Sequence, residues 1–161
     1  MREVQIRRMV KADIASVCEI QDASVGSSVD EETLGKIISS RYCLKWVAVS
    51  ASGRMYGFLI AEEDKSRVLI HDLLIHPTAR QRGVGGGLMG TLKWQYEDKA
   101  TDTTRIVAYV RETDLPAQKF LRKENFRAVQ IVEDWYTDTN EPAYKFVFWI
   151  GDKPEIKVEQ I

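Results

Sequence analysis

The sequence predicts an α/β fold in which a mixed sheet of about seven strands carries helices on both faces. Strand and helix patterns follow one another in the order β-α-α-β-β-β-α-β-α-β-β. The runs CLKWVAVS and MYGFLIAE, joined by the turn ASGR, predict an antiparallel hairpin. The β-α-β-α unit after this hairpin adds parallel pairing, so the sheet is mixed. The 161 residues predict one domain, residues 1–150, and a C-terminal tail, residues 151–161.

Four segments have a helical pattern. KADIASVCEIQDAS places apolar residues at helical spacing, and SSVDEETLGKIIS has acidic residues in its first turn, where they suit the helix dipole. A third helix follows a glycine-rich stretch and is expected to run to about Lys99. The fourth, LPAQKFLRKEN, is expected to be capped by Asp114 and to end at Asn125 in a left-handed conformation.

The remaining segments predict strands. RVLIHDLLIH is nearly all apolar, which is typical of a central strand covered on both faces, and Pro77 ends it. RIVAYVR, FRAVQIVEDWY and YKFVFWI are rich in β-branched and aromatic residues and predict the later strands. The four tryptophans, Trp135 and Trp94 among them, are expected to pack in the core or on the surface, and we assign them no role in a site.

The composition excludes several classes of function. A net charge of -1 gives no overall electrostatic footprint for nucleic acid or for an anionic membrane surface. No apolar run approaches the ~20 residues of a membrane span, and the charged N-terminus does not resemble a signal peptide. Cys18 and Cys43 lie far apart, without metal-ligand spacing, which favours free thiols in a reducing compartment. We therefore expect a cytoplasmic protein, either a monomer or a homodimer, that binds no metal.

The stretch HPTARQRGVGGGLMG holds half of the ten glycines and lies where the third helix must begin. A helix start presents unpaired N–H groups and partial positive charge, and glycine lets a phosphate approach the backbone. The alternative is a flexible loop whose glycines allow close helix–strand packing. A dinucleotide fingerprint would need glycine at Leu88, and a P-loop would need a lysine–hydroxyl pair near Thr91, so neither motif is present.

The motif RQRGVG, residues 80–85, resembles the Arg/Gln-x-x-Gly-x-Gly/Ala motif of the GCN5-related N-acetyltransferases (GNAT). The flanking segments HDLLIHPTARQRGVGGGLM and VRETDLPAQKFLRKENFRAV are similar to that family's fourth strand to third helix and fifth strand to sixth strand. The resemblance covers roughly residues 4–150 and is most similar to the branch that acetylates peptide N-termini, including ribosomal-protein alanine acetyltransferases. It implies a mostly antiparallel sheet whose fourth and fifth strands splay apart.

The resemblance also implies acetyl-CoA as the acetyl donor. The pyrophosphate would lie on the amides of the glycine loop, and the pantetheine arm would pair along the fourth strand, with an N–H near Leu73 polarising the thioester carbonyl. Asp114 matches an asparagine that often contacts CoA at the start of the fourth helix. The implied donor-binding residues are Leu73, Leu74, Ile75, Arg80, Gln81, Arg82, Gly83, Val84, Gly85, Gly86 and Asp114.

The catalytic residues depart from the family pattern. Tyr109 stands where relatives often have a glutamate or histidine, and Leu121 stands where they often have a tyrosine acid. His71 matches a catalytic histidine of some arylalkylamine acetyltransferases and has a suitable ordinary pKa, although it could equally be structural. We take His71 and Tyr109 as candidate catalytic residues and Tyr136 as a candidate contact with the substrate. Asp72 is expected to point to the opposite face from His71 unless a bulge intervenes.

Three functions follow from these observations. The first is acetyl transfer to a primary amine, at a protein or peptide N-terminus. The second keeps acetyl-CoA but takes a small amine, such as a polyamine, an amino acid or an aminoglycoside. The third is an acyl-CoA-binding module without catalysis, which the residues at 109 and 121 make credible.

Overall fold

One seven-stranded sheet organises the molecule. The computed structural model describes residues 4–26, 28–97 and 102–151. Within them the strands are β1 (Val4–Arg8), β2 (Cys43–Ser50), β3 (Met55–Asp64), β4 (Arg67–Ile75), β5 (Arg105–Arg111), β6 (Arg127–Tyr136) and β7 (Glu141–Trp149). The α-helices are α1 (Ile14–Val25), α2 (Glu31–Ser39), α3 (Val84–Glu97) and α4 (Leu115–Lys123). The predicted order of strands and helices is confirmed.

The sheet has the strand order β1-β2-β3-β4-β5-β7-β6. Five of its neighbouring pairs are antiparallel, and β4 and β5 form the parallel pair. The predicted mixed, mostly antiparallel α/β fold is therefore confirmed. The parallel pair arises because α3 crosses from the end of β4 back to the start of β5.

Two apolar clusters cover the two faces of the sheet. On one face, Leu88 of α3 and Leu121 of α4 pack with Trp46 of β2. On the other face, Val17 of α1 packs with Val47, the next residue along β2. Adjacent strand residues point to opposite faces, so the prediction of helices on both faces is confirmed.

Helix starts differ from the sequence pattern by a few residues. A short 3-10 turn, Lys11–Asp13, precedes α1, so the α-helix begins at Ile14. The α2 helix begins at Glu31 because the Asp30 carboxylate accepts a hydrogen bond from the Thr33 N–H at 2.9 Å. The predicted end of the third helix near Lys99 lies outside the described residues, as do residues 152–161 of the predicted tail.

The fourth helix begins and ends as predicted. The Asp114 carboxylate accepts a hydrogen bond from the Ala117 N–H at 3.1 Å, which caps the first turn of α4. Asn125 has a φ of 64°, the left-handed conformation that stops the helix. These two residues therefore define both ends of α4.

The β4 strand is central, but the prediction that both of its faces are covered is wrong. Val68 is fully buried, whereas most of the later residues are half-buried and His71 is exposed. The reason is that β5 accompanies only the first part of β4. The apolar residues beyond Leu69 line an opening in the sheet instead of a closed core.

Candidate active site

The opening lies where β4 and β5 part. They pair at Arg67 with Arg105, Val68 with Ile106 and Leu69 with Val107, and their pairing ends there. Beyond this point a cleft of about 230 Å³ separates the two strands. The splay between the fourth and fifth strands is confirmed. It leaves backbone groups of β4 and β5 facing the cleft without a neighbouring strand, so an extended ligand could pair with them.

The cleft passes through the sheet from one face to the other. Met89 of α3 with Phe120 and Leu121 of α4 line it on the face that those helices cover. Ala108 and Val110 of β5 point to that same face, so the intervening Tyr109 points to the opposite one. Tyr109 and Tyr136 line the cleft there. Two molecules could therefore enter from opposite faces and meet between the strands.

A glycine-rich turn leads into α3 beside the cleft. Gln81 and Gly83 have positive φ values of 58° and 82°, and α3 begins at Val84. The Gly87 N–H donates to the Gly83 carbonyl at 2.9 Å, which is the first bond of the helix. The N–H groups before it, from Val84 to Gly86, belong to the unpaired first turn, which favours an anion. Exposed Arg82 adds positive charge nearby.

Two of the predicted donor-binding residues, Arg80 and Ile75, are joined by a hydrogen bond at the end of β4. The Arg80 Nε donates to the Ile75 carbonyl at 3.2 Å, so this exposed arginine is hydrogen-bonded to the end of the strand. The Ile75 side chain packs beside Gly57 and Gly85. Leu73 and Leu74 line the cleft.

The glycines of α3 also permit close packing. A Cβ at Gly87 would lie 2.9 Å from Ile6 Cδ1 of β1, and one at Gly85 would lie 3.3 Å from the Phe120 ring. A Cβ at Gly86 would lie 3.3 Å from a carboxylate oxygen of Glu124. The packing alternative therefore accounts for part of the glycine stretch, within the helix. Gly83 is different, because its positive φ belongs to the turn itself.

A bulge in β4 brings two neighbouring polar residues to the cleft. On β3, Ile60 pairs with Asp72 and Ala61 pairs with Ile70, so His71 is the extra residue. Both His71 and Asp72 line the cleft. The His71 Nε2 lies 3.0 Å from the Glu62 carboxylate and the side chain is 43% exposed. Burial raises the pKa of the Asp72 carboxyl, against the smaller effects of His71 and Gln21.

An aromatic pair forms the opposite wall. Trp135 of β6 stacks on Tyr109. The register of β6 shifts between Val132 and Tyr136, where Asp134 has a φ of 53°. This shift changes the direction in which the Trp135 side chain points. The Tyr136 hydroxyl donates to the Tyr109 carbonyl at 3.3 Å, and burial raises the pKa of Tyr136. Sequence reasoning missed Trp135, because alternation alone does not reveal the bulge.

Arg111 fixes the connection between β6 and β7 over this wall. Its guanidinium lies 3.9 Å from the Tyr136 ring centroid. It also donates to Asp138 at 2.8 Å and to Glu141 at 3.3 Å, and these hydrogen bonds lower the pKa of Asp138. Hydrogen bonds from Thr113, then from Arg111, lower the pKa of Glu141. No local sequence motif indicates a role for this arginine, because its partners are distant along the chain.

The structure thus brings most of the predicted catalytic and substrate-contacting residues together. His71, Tyr109 and Tyr136 line one cleft, and Asp114 lines it from the start of α4. Leu121 also lines it and is only 5% exposed, so an apolar side chain occupies this wall. A cleft with titratable groups on its walls has the form of an enzyme active site.

A comparison with known protein families agrees with the interpretation of this cleft as an enzyme active site. The model of the acetyltransferase (GNAT) family matches residues 14–126. The chain belongs to this family. A search of curated protein sequences found no significant match.

Solved structures share the fold at low sequence identity. The ribosomal-protein-S18-alanine N-acetyltransferase from Escherichia coli has a TM-score of 0.81 at 18% identity, over 95% of this chain and 97% of that one. NAA60 from Arabidopsis thaliana, in complex with a bisubstrate analogue, has a TM-score of 0.83 at 18% identity, over 94% and 100%. The spermidine/spermine N-acetyltransferase SpeG from Vibrio cholerae has a TM-score of 0.73 at 12% identity, over 91% and 95%.

The described part of the chain has no helix with the length and apolar character of a membrane span.

Proposed function

We propose that this protein transfers an acetyl group from acetyl-CoA directly to a primary amine at the N-terminus of a protein or peptide. The observation that carries the proposal is the cleft between β4 and β5, which opens to both faces of the sheet. One mouth lies beside the glycine turn and α3. The other carries Tyr109 and Tyr136. A donor and an acceptor could meet there without crossing each other's path.

The residues at the first mouth fit acetyl-CoA. The amides from Val84 to Gly86 would hold the pyrophosphate, with Arg80, Gln81 and Arg82 supplying charge and polar contacts. The parted edge of β4, from Leu73 to Ile75, would pair with the pantetheine amides, as an added strand does. Asp114 would contact the same arm from the start of α4. Two of the similar structures are those of NAA60 with acetyl-CoA and with a bisubstrate analogue.

The second mouth suits a peptide. Two tyrosines line it, and the Arg111 guanidinium lies against the Tyr136 ring. Tyrosine rings and hydroxyls suit a peptide backbone, whereas a polyamine would favour an enclosed acidic pocket. The name of the Escherichia coli structure refers to an alanine of ribosomal protein S18, and that of SpeG to spermidine and spermine. The candidates for proton transfer are His71 and Tyr109, which the sequence predicts, and Asp72, which also lines the cleft.

A mass-spectrometric acceptor screen tests this function. The protein with acetyl-CoA is offered peptides with free N-termini, spermidine and free amino acids, and CoA thiol release is followed in parallel. We expect acetylated peptide N-termini. Acetylated spermidine or amino acids alone would replace the peptide acceptor by a small amine. A rise in melting temperature with acetyl-CoA, without any acetylated acceptor, would indicate the non-catalytic binding module instead.

A further inference from the structure

We propose that the Asp72 carboxylate is the general base that takes the proton from the acceptor ammonium, and that Gln21 is its positioning residue. The inference rests on the proposed acetyl transfer and names the group that performs its proton step. The observations are the bulge in β4, the contacts of Gln21, and the place of Asp72 in the cleft wall.

The bulge turns Asp72 to the acceptor side. Asp72 pairs with Ile60 on β3, and the Ile60 side chain packs in the apolar cluster under α1. The Asp72 side chain therefore points to the face of the sheet that α1 partly covers, away from α3 and α4. Tyr109 points to this face too, across the cleft. The carboxylate and the aromatic wall thus face one another where an acceptor would enter.

Gln21 of α1 fixes the carboxylate from behind. Its side chain is only 3% exposed, and its Oε1 accepts a hydrogen bond from the Val29 N–H at 3.1 Å. That bond leaves the amide NH₂ as the end that can donate to Asp72. The hydrogen bond from Gln21 favours the ionised carboxylate and opposes the effect of burial on its pKa. A carboxylate in this setting is more basic than that of an exposed aspartate.

The charged groups around Asp72 already have partners, and the Asp114 carboxylate, which also lines the cleft, caps α4. On its own sheet edge, His71 faces Glu62, which occupies the imidazole Nε2. Across the cleft, the cation of Arg111 is held by Asp138 and Glu141. Tyr109 and Tyr136 complete the lining on that side. A carboxylate here can both attract an ammonium and accept its proton.

The proton step balances as follows. The Asp72 carboxylate takes one proton from the acceptor ammonium, and the neutral nitrogen attacks the acetyl carbonyl carbon. The N–C bond forms, the C–S bond breaks, and the electron pair leaves on the sulfur. The nitrogen loses its second proton, which ends on the CoA sulfur, and Asp72 returns its own proton to solvent. No oxidant, metal or further reactant enters.

The test compares Asp72→Asn with His71→Gln and Gln21→Met in the full chain. The probe reaction is the acetylation of whichever amine the acceptor screen identifies, followed by thiol release across pH. We expect Asp72→Asn to lower kcat/KM by about 100-fold or more. Raising the pH should restore its activity in proportion to the neutral amine, about tenfold per unit below the amine pKa. His71→Gln should keep the acid limb of the wild-type pH profile, because the base that titrates there is Asp72.

Gln21→Met separates positioning from mere packing. Without the amide donor the pKa of Asp72 rises, so the acid limb of the pH profile should move to higher pH while acetyl-CoA still binds. Asp72→Glu, which keeps a carboxylate, should retain an acid limb and more activity than Asp72→Asn.

Three results would overturn the assignment. They are wild-type kcat/KM in Asp72→Asn, loss of the acid limb in His71→Gln alone, or an unmoved limb in folded Gln21→Met. If Asp72→Asn does not fold, Asp72→Glu provides the test. An Asp72→Glu variant with no more activity than the unfolded Asp72→Asn preparation would count against a carboxylate base. Failure of the proposed function is recognised separately, because wild type would then bind acetyl-CoA and acetylate no amine. That result removes the base assignment with it.

Discussion

Trp135 stacks on Tyr109 with ring centroids 4.1 Å apart and planes inclined by 11°. The two residues come from β6 and β5, which are not neighbours in the sheet, since β7 lies between them. Trp135 reaches Tyr109 over that strand because the β6 bulge turns it inward. The stack holds the Tyr109 ring at the mouth of the cleft where we place the acceptor.

Trp135→Ala should therefore weaken acceptor use. An aromatic stack contributes about 0.5–1.5 kcal/mol, so kcat/KM for the acceptor should fall roughly 2- to 12-fold. Trp94→Ala is the matched control, because Trp94 lies on α3 and is 73% exposed. Steady-state kinetics of both variants measure the change in kcat/KM for the acceptor. Equal losses in the two variants, or none in Trp135→Ala, would show that the stack has no part in acceptor binding.

Gly83 and Gly90 give opposite predictions for the same change to alanine. Gly83 has a φ of 82°, and an alanine there costs about 1–2 kcal/mol of stability. Gly90 lies inside α3 with no heavy atom within 4 Å of an added Cβ, so alanine should stabilise the helix by about 1 kcal/mol. Urea unfolding measures both changes.

Acetyl-CoA titration separates the two glycines further. Gly83→Ala should reduce affinity, because it disturbs the turn that presents the first amides of α3. Gly90→Ala should leave affinity within about twofold. Unchanged affinity in Gly83→Ala would argue against the glycine turn as the pyrophosphate site.

The sequence predicted the order of elements because hydrophobic periodicity and caps are local signals. Asp114 and Asn125 are examples, since each acts on residues within one turn of itself. The glycine turn was also predicted, because glycine adopts a positive φ such as that of Gly83 without steric cost. Local signals were therefore sufficient to predict the strands, the helices and the turn that surround the site.

The walls of the cleft were harder to predict. Whether Asp72 faces the acceptor depends on which residue of β3 it pairs with, and one skipped residue reverses the answer. The position of Trp135 depends on a second bulge in the same way. Arg111 acquires its role from partners on β7 and the preceding connection, far along the chain. Such pairings are tertiary properties that a single sequence does not display.

Lys93 joins the end of α4 to α3. Its Nζ lies 2.9 Å from the Glu124 carboxylate and 2.7 Å from the Glu124 carbonyl, and both side chains are under a fifth exposed. Lys93→Met removes these charge-assisted hydrogen bonds and should lower the free energy of unfolding by about 1.5–3 kcal/mol. The control is Lys36→Met, which breaks the exposed pair with Glu32 and should cost less than about 0.5 kcal/mol. Similar losses in the two variants would contradict this ranking.

Asp13 and Asp72 should change stability with pH in opposite directions. Burial of Asp13 acts to raise its pKa, but two hydrogen bonds from Arg7, each at 2.8 Å, and one from the Val10 N–H outweigh burial and lower it. The ionised form is thus favoured by the fold. Its contribution is present above the unfolded pKa of about 3.9 and is lost as pH falls through the lower folded value. Asp13→Asn should destabilise the protein at pH 7, by about 1–3 kcal/mol.

For Asp72 the sign is reversed. Its pKa is raised chiefly by burial, so the fold disfavours the ionised form. The resulting penalty is absent below the unfolded pKa and grows as pH rises from that value through the folded pKa. Asp72→Asn should therefore raise the free energy of unfolding at pH 7 and have little effect near pH 3, as measured by urea unfolding at both values. An Asp72→Asn variant that is destabilised equally at both pH values would contradict this prediction. The effect of the side chain on stability would then come from its packing and not from its charge.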